Sequence, residues 1–179
     1  MVDISLSRKW SFRLLFLALV AFIVFAHLIP LQTTPSNWAM PDLLISLCFA
    51  WVLRRPDYVP ILLIATVMLT TDFLFMRPPG LMAALVVLGA EFLRARGHIL
   101  RELQFSLEWG VVAGVITGVM VTNRVLLILV MSPRPPLGLS LFQLVVTLLA
   151  YPVVVAFSHY GLGIRKIVAG EVDAWGHRL

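Results

Sequence analysis

Six apolar runs separated by short loops occupy most of this chain and limit what it can fold into. The longest, residues 107–131, contains only two charged side chains, Glu108 and Arg124. A helix needs roughly 20 apolar residues to cross the hydrocarbon core of a bilayer. Because 60% of the 179 residues are apolar and only 13% are charged, a soluble fold could not hide this surface from water. The sequence therefore predicts an all-α integral membrane protein.

The positions of the basic residues predict how the chain crosses the membrane. If all six runs cross, eleven of the fourteen Lys and Arg residues fall on one side, Arg77 and Arg134 on the other, and Arg124 within a span. The second run has only eleven apolar residues, but if it did not cross, the basic loop at residues 94–101 would lie outside, against the positive-inside rule. The basic residues are also too scattered to form a nucleic-acid-binding face.

We therefore predict a single domain, residues 1–179, with six transmembrane helices in a compact bundle and both termini in the cytoplasm. The polar loop at 31–40, with Trp38 as an interfacial anchor, and the stiff hairpin at 132–136 belong outside. A short cytoplasmic tail covers 163–179. The predicted spans are approximately 12–30, 42–54, 58–76, 80–94, 105–131 and 138–162.

Motifs for catalysis, metals and cofactors do not stand out in the sequence. It has no serine in a G-x-S-x-G turn, no H-E-x-x-H and no glycine-rich phosphate loop. Asp72 lacks a second membrane aspartate with which to share a proton, the four histidines are solitary, and the single cysteine, Cys48, lies in an apolar run. We predict no enzymatic activity, no cofactor and no metal.

Asp72 and Arg124 are the charged residues most costly to place in a membrane. Counting helix rise from the inner end of each span puts them about 21 Å and about 26 Å deep, in the same outer half. One interpretation is that they face the bundle interior and pair directly or through Asn123. In the other, Asp72 bonds Thr70, Thr71 or a neighbouring helix end, and Arg124 extends to the outer headgroups.

Local signals mark helix ends and a packing face. Pro41-Asp42 opens the second helix, Trp51 anchors its inner end at the interface, and Glu108 suits the N-terminal dipole of the fifth helix. Glycines at positions 110, 114 and 118, the small residues of two overlapping G-x-x-x-G units, share one face of the fifth helix. That face, comprising Gly110, Gly114 and Gly118, packs either inside the bundle, with Val112 off the contact, or against a helix of another protein.

Several of these residues together resemble MreD, the rod shape-determining membrane protein family. The features are an opening Pro41-Asp42, Trp51, an inner hairpin at Arg54-Arg55-Pro56, Asp72 late in the next span, and Pro79-Gly80-Leu81 at the start of the fourth. The resemblance, which extends to size and six spans, implies a non-catalytic scaffold of the bacterial cell-elongation complex in the inner membrane. Its implied partners are MreC, RodA, a class B penicillin-binding protein and MreB.

The resemblance also implies a fold similar to the substrate-binding subunits of energy-coupling-factor transporters. That similarity supplies an alternative function, a substrate-binding subunit of a small-molecule, vitamin-type transporter. Such a subunit should line a water-accessible outer pocket with several aromatic and polar groups. As structural or partner-binding candidates we single out Pro41, Asp42, Trp51, Arg54, Pro56, Asp72, Gly80, Gly110, Gly114, Gly118 and Arg124.

Overall fold

Helices form all the regular secondary structure of residues 3–29, 40–132 and 136–164, which this computed structural model describes. The α-helices are α1 Asp3–Leu28, α2 Leu43–Arg54, α3 Ile61–Leu74, α4 Leu81–Ala95, α5 Gly97–Glu102, α6 Phe105–Leu129 and α7 Leu137–Ala156, and a π-helical turn, Phe157–Gly161, continues α7. Trp38 and the rest of the predicted outer loop to residue 39, Arg134 of the predicted hairpin, and the tail from residue 165 lie outside the described residues.

Three of these helices are long and apolar enough to cross a membrane, by length and composition. They are Lys9–Leu28, Phe105–Leu129 and Leu137–Gly161, and only 17% of the apolar window in each is buried within the protein. The rest of their surface displays side chains such as Phe22 and Leu129, each 71% exposed. An apolar surface of this extent requires lipid or a protein partner. These three helices support the predicted helical membrane character by their length and composition. Helices α2 and α3 are also apolar, but they are shorter.

Two differences from the predicted spans have local causes. The third helix covers Ile61–Leu74 rather than 58–76, because Pro60 precedes its first turn and Met76 adopts a left-handed φ of 51° just beyond its end. A short helix, α5, occupies Gly97–Glu102, within the loop predicted between the fourth and fifth spans.

Helix α2 forms the centre of the bundle. Every residue from Leu44 to Arg54 is buried, and the helix packs mainly against α7 and α4. Its first turn is capped by Asp42, whose Oδ1 accepts the N–H of Ile45 at 3.3 Å. It ends before Pro56, because a residue that precedes proline disfavours helical geometry, and Arg55 has φ −145° and ψ 78°.

A close helix approach involves Gly89 of α4. A Cβ added at Gly89 would lie 2.8 Å from Cζ of Phe49 on α2 and 3.0 Å from Cγ1 of Val115 on α6. Both distances are shorter than ordinary van der Waals contact. The absence of a side chain at Gly89 therefore allows α2, α4 and α6 to meet.

A second junction depends on Pro152 within α7. Proline has no N–H, so the carbonyl of Leu148, four residues earlier, loses its usual helical donor. That carbonyl accepts the indole N–H of Trp109 on α6 at 3.2 Å. Pro152 thus leaves an acceptor that joins α6 to α7.

We expect Gly89→Leu to destabilise the purified protein by about 1–3 kcal/mol or more, because the added side chain would overpack the contact with Phe49. The matched change Gly114→Leu should have little effect on stability, because no heavy atom lies within 4 Å of a Cβ built there. Thermal unfolding in detergent compares the two variants. Equal losses would contradict the assignment of the close contact to Gly89.

Candidate functional site

Asp42 connects the start of α2 to two other parts of the bundle. Its backbone N–H donates to Oγ1 of Thr147 on α7 at 2.9 Å, while its side chain caps α2. Its Oδ2 lies 4.0 Å from Nη1 of Arg77, whose side chain is 40% exposed. Partial exposure and this distance make the ion pair weak, so capping is the stronger role of the carboxylate.

Asp72 closes the hairpin between α3 and α4. One carboxylate oxygen, Oδ2, accepts the backbone N–H groups of Gly80 at 3.0 Å and Ala83 at 3.2 Å. Gly80 permits this geometry through its left-handed φ of 85°, and the positive end of the α4 dipole lies at the same point. The aspartate therefore serves as an N-terminal cap for the helix that follows it.

Of the two interpretations of Asp72 and Arg124, the direct pair between them is wrong, and Asp72 instead bonds a neighbouring helix end, as the other interpretation held. The Oδ1 atom of Asp72 has no hydrogen-bond partner, and Oδ2 bonds to the start of α4. Arg124 donates from Nη1 to Oγ of Ser140 on α7 at 2.6 Å. Two backbone N–H groups already oriented at a helix start satisfy Oδ2 of this buried carboxylate without bringing a long side chain from another helix.

Trp51 is an internal contact rather than an interfacial anchor, so that prediction is also wrong. Its side chain is fully buried. The indole N–H donates to Oγ of Ser158 at 3.2 Å, and its ring packs against Phe16 with centroids 5.3 Å apart. Trp51 thereby connects α2 to α1 and to the π-helical turn.

Arg54 and Glu108 form a buried ion pair between α2 and α6. Their Nη1 and Oε1 atoms are 3.4 Å apart, and the side chains are 6% and 0% exposed. The sequence indicated only that Glu108 suits the helix dipole, because nothing in the local pattern identifies a partner 54 residues away. Removing one member of such a pair leaves an uncompensated buried charge.

The remaining hairpin candidates act through the backbone. The carbonyl of Pro41 accepts the N–H of Leu43 at 3.0 Å, where α2 begins. The carbonyl of Pro56 accepts the N–H of Val59 at 3.3 Å in the turn that leads to α3. Both prolines therefore fix how the chain enters and leaves the central helix.

The glycine face of α6, defined by Gly110, Gly114 and Gly118, is exposed. No heavy atom lies within 4 Å of a Cβ built at any of the three positions, so packing of this face inside the bundle is wrong. Val112, expected to lie off the contact, is instead fully buried. The inward face of α6 is formed by the larger side chains, with Val112 and Ile116 in the core.

A cavity of about 360 Å³ lies where α3 and α6 end and where α2, α4 and α7 begin. Its polar lining residues are Asp42, Arg77, Asn123, Arg124, Ser132, Ser140 and Gln143. Among its other lining residues Phe75 is aromatic, and the Arg77 guanidinium lies 5.2 Å from the centre of that ring. Two arginines and one aspartate give the described lining a net positive charge.

Sequence reasoning missed the partners Thr147, Ser158, Glu108 and Trp109, each of which binds a residue far away in the chain. A buried polar residue on an apolar helix was the available signal, but it does not identify the partner.

Among the described residues, no group of three or more His, Cys, Asp or Glu side chains could hold a metal ion.

We expect Glu108→Gln to lower the free energy of unfolding by about 3 kcal/mol, because Arg54 would remain buried without a counter-charge. Arg54→Met should also destabilise the protein, and the double variant should lose at least ~1 kcal/mol less than the sum of the singles. Thermal or denaturant unfolding in detergent measures all three.

The control is the partly exposed pair of Glu91 and Arg94 on α4, with a 2.9 Å separation. Its double-mutant cycle should show a coupling of about 0.5 kcal/mol. An Arg54–Glu108 coupling no larger than that of this control would contradict a stabilising role for the buried pair.

Comparison of the chain with protein-family models, with characterised proteins and with solved structures gives no significant match, so no family is assigned to it.

Proposed function

We propose that this protein is a non-catalytic scaffold of a bacterial cell-elongation complex, as its resemblance to MreD implies. One observation supports the proposal most directly. The polar residues that carry the resemblance contact other parts of the same chain: Asp42 bonds Thr147, Trp51 bonds Ser158, Arg54 pairs with Glu108, and Asp72 caps α4 at Gly80. Their role is to hold the helices in fixed positions, which suits a protein that presents surfaces to partners.

The proposed topology has six spans, with both termini in the cytoplasm of a bacterium and the protein in its inner membrane. The short α2, 12 residues and about 18 Å long, is compatible with crossing because other helices enclose it. A segment buried in protein need not match the thickness of the lipid around the bundle. The excess of basic residues in the loops on one side supports the orientation with both termini in the cytoplasm.

Cysteine labelling tests this topology. A cysteine at Ser132 should react with a membrane-impermeant maleimide in intact cells, whereas a cysteine at His98 should react only after permeabilisation. The native Cys48 is fully buried and should remain unlabelled in the folded protein. Labelling of the position-98 cysteine in intact cells would contradict the six-span arrangement.

The glycine face of α6 is the surface at which we propose that a single-span partner helix makes contact. Small residues allow two helix backbones to approach closely in lipid, where packing rather than the hydrophobic effect drives association. Val121 and Val125 are exposed and continue the same face toward the end of α6. Within the described chain this face is not used for the contact that its sequence pattern indicates.

Co-purification with MreC tests the proposed function. The tagged wild-type protein should retain MreC through mild detergent washing, and Gly114→Leu should reduce the retained fraction at least ~10-fold by blocking backbone approach. Ala84→Leu on α4 is the matched control, because Ala84 is also a small, exposed residue. Absence of MreC from the wild-type eluate would overturn the scaffold proposal, whereas equal losses in both variants would reject only the glycine face as the contact.

One observation favours the alternative, a substrate-binding subunit. The cavity beside Arg77 and Arg124 lies at the end of the bundle that the proposed topology directs outward, and it carries seven polar lining residues. A vitamin-type ligand should raise the melting temperature of the purified protein in the absence of MreC. A scaffold does not require such a ligand.

A further inference from the structure

We propose that the cavity formed by the ends of α3 and α6 and the starts of α2, α4 and α7 binds an amphiphile with an anionic phosphate or carboxylate head. The ligand's head contacts Arg124 and Arg77, and its chain leaves between α6 and α7. This site does not depend on the scaffold function or on the identity of a protein partner. Its volume, about 360 Å³, is within the range of small-ligand sites.

The electrostatic part of the site consists of two guanidinium groups and hydrogen-bonding side chains. Arg124 is held in place by the 2.6 Å bond from its Nη1 to Oγ of Ser140, and a guanidinium carries several N–H donors. Arg77 reaches the same cavity from the segment after α3, beside the ring of Phe75. Arginine is suited to phosphate and carboxylate because its planar fork matches their geometry.

Asp42 is the acidic residue that lines the described cavity, and its position limits repulsion of an anion. Its Oδ1 accepts the N–H of Ile45 in the α2 cap, and its Oδ2 lies 4.0 Å from Arg77. The side chain is only 10% exposed. The net charge of the lining therefore remains positive, and the basic side chains are more accessible than the carboxylate of Asp42.

The apolar part of the site reaches the outer surface of the bundle. Val121 of α6 and Leu137 and Leu141 of α7 line the cavity and are 52%, 63% and 60% exposed. They connect the polar base of the cavity to the apolar surface that α6 and α7 present to their surroundings. A head without a chain would leave this wall uncovered, whereas an amphiphile would contact both parts.

The test measures melting-temperature shifts of the purified protein in a neutral detergent. It compares short-chain phosphatidylglycerol, phosphatidylcholine with the same chains, decanoate and inorganic phosphate. We expect phosphatidylglycerol, decanoate or both to stabilise the protein at concentrations where phosphatidylcholine and inorganic phosphate do not. Stabilisation by phosphatidylglycerol alone identifies a membrane lipid as the ligand, and stabilisation by decanoate alone identifies a soluble amphiphile.

Variants of the cavity locate the binding. Arg124→Gln should raise the concentration for the half-maximal shift by about 10- to 100-fold, as expected for loss of a hydrogen bond to a charged group. Arg77→Gln should have a smaller effect in the same direction, because its side chain is more exposed. Arg96→Gln is the matched control, since Arg96 is an exposed arginine outside the cavity that stacks on Phe92.

Two more substitutions keep the proposal testable if loss of Arg124 impairs folding. Asp42→Asn should strengthen binding of the anion, because asparagine can still cap α2 while the repulsive charge is removed. Leu141→Ser should weaken binding of the amphiphile, whereas Leu149→Ser, 62% exposed on the same helix but outside the cavity, should not.

The proposal is overturned if none of the amphiphiles stabilises the protein, or if phosphatidylcholine does so equally, since the head would then need no charge. Equal stabilisation by inorganic phosphate would remove the role of the apolar wall. Identical responses of the Arg124→Gln, Asp42→Asn and Arg96→Gln variants would place any binding outside this cavity.

Discussion

Enclosure of α2 by the other helices is the constraint on which the rest of the structure depends. Its polar groups are largely buried, so they need partners on the surrounding helices. Asp42 finds Thr147 at one end, and Arg54 finds Glu108 at the other. These partners lie on α7 and α6. The hydrogen bond and the ion pair of the central helix therefore also determine the positions of two of the long apolar helices.

Capping by Asp72 has a similar effect in the α3–α4 hairpin. A buried carboxylate is stabilised most directly by donors that are already oriented, and the start of α4 supplies two of them at Gly80 and Ala83. The carboxylate of Asp72 therefore stabilises the hairpin between α3 and α4. Arg124, which the sequence suggested as its counter-ion, instead bonds Ser140 and contributes its charge to the cavity.

The sequence was sufficient to predict an all-helical chain with helices long and apolar enough to cross a membrane, and to predict the helix starts that have local signals. Pro41-Asp42 marked the start of α2, and Gly80 marked that of α4. The sequence was insufficient to predict which face of each helix is buried. A helix that is apolar all round has no polar stripe to show which side faces the core. One alternative therefore placed Gly114 inside the bundle with Val112 off the contact, the reverse of what the structure shows. The free carbonyl of Leu148 follows from Pro152, but its donor, Trp109, is set by tertiary packing.

Both surfaces to which we assign a role involve α6. The glycine face runs along its outer side, and Val121, three residues after Gly118 and seven after Gly114, lies on that face and also lines the cavity. A partner helix on the glycine face would thus adjoin the apolar mouth through which an amphiphile's chain leaves. Because the two occupants would share Val121, binding of each would alter the affinity for the other by the same factor, as linkage requires. An amphiphile that extends the surface offered to the partner would strengthen its association, and one that competes for Val121 would weaken it.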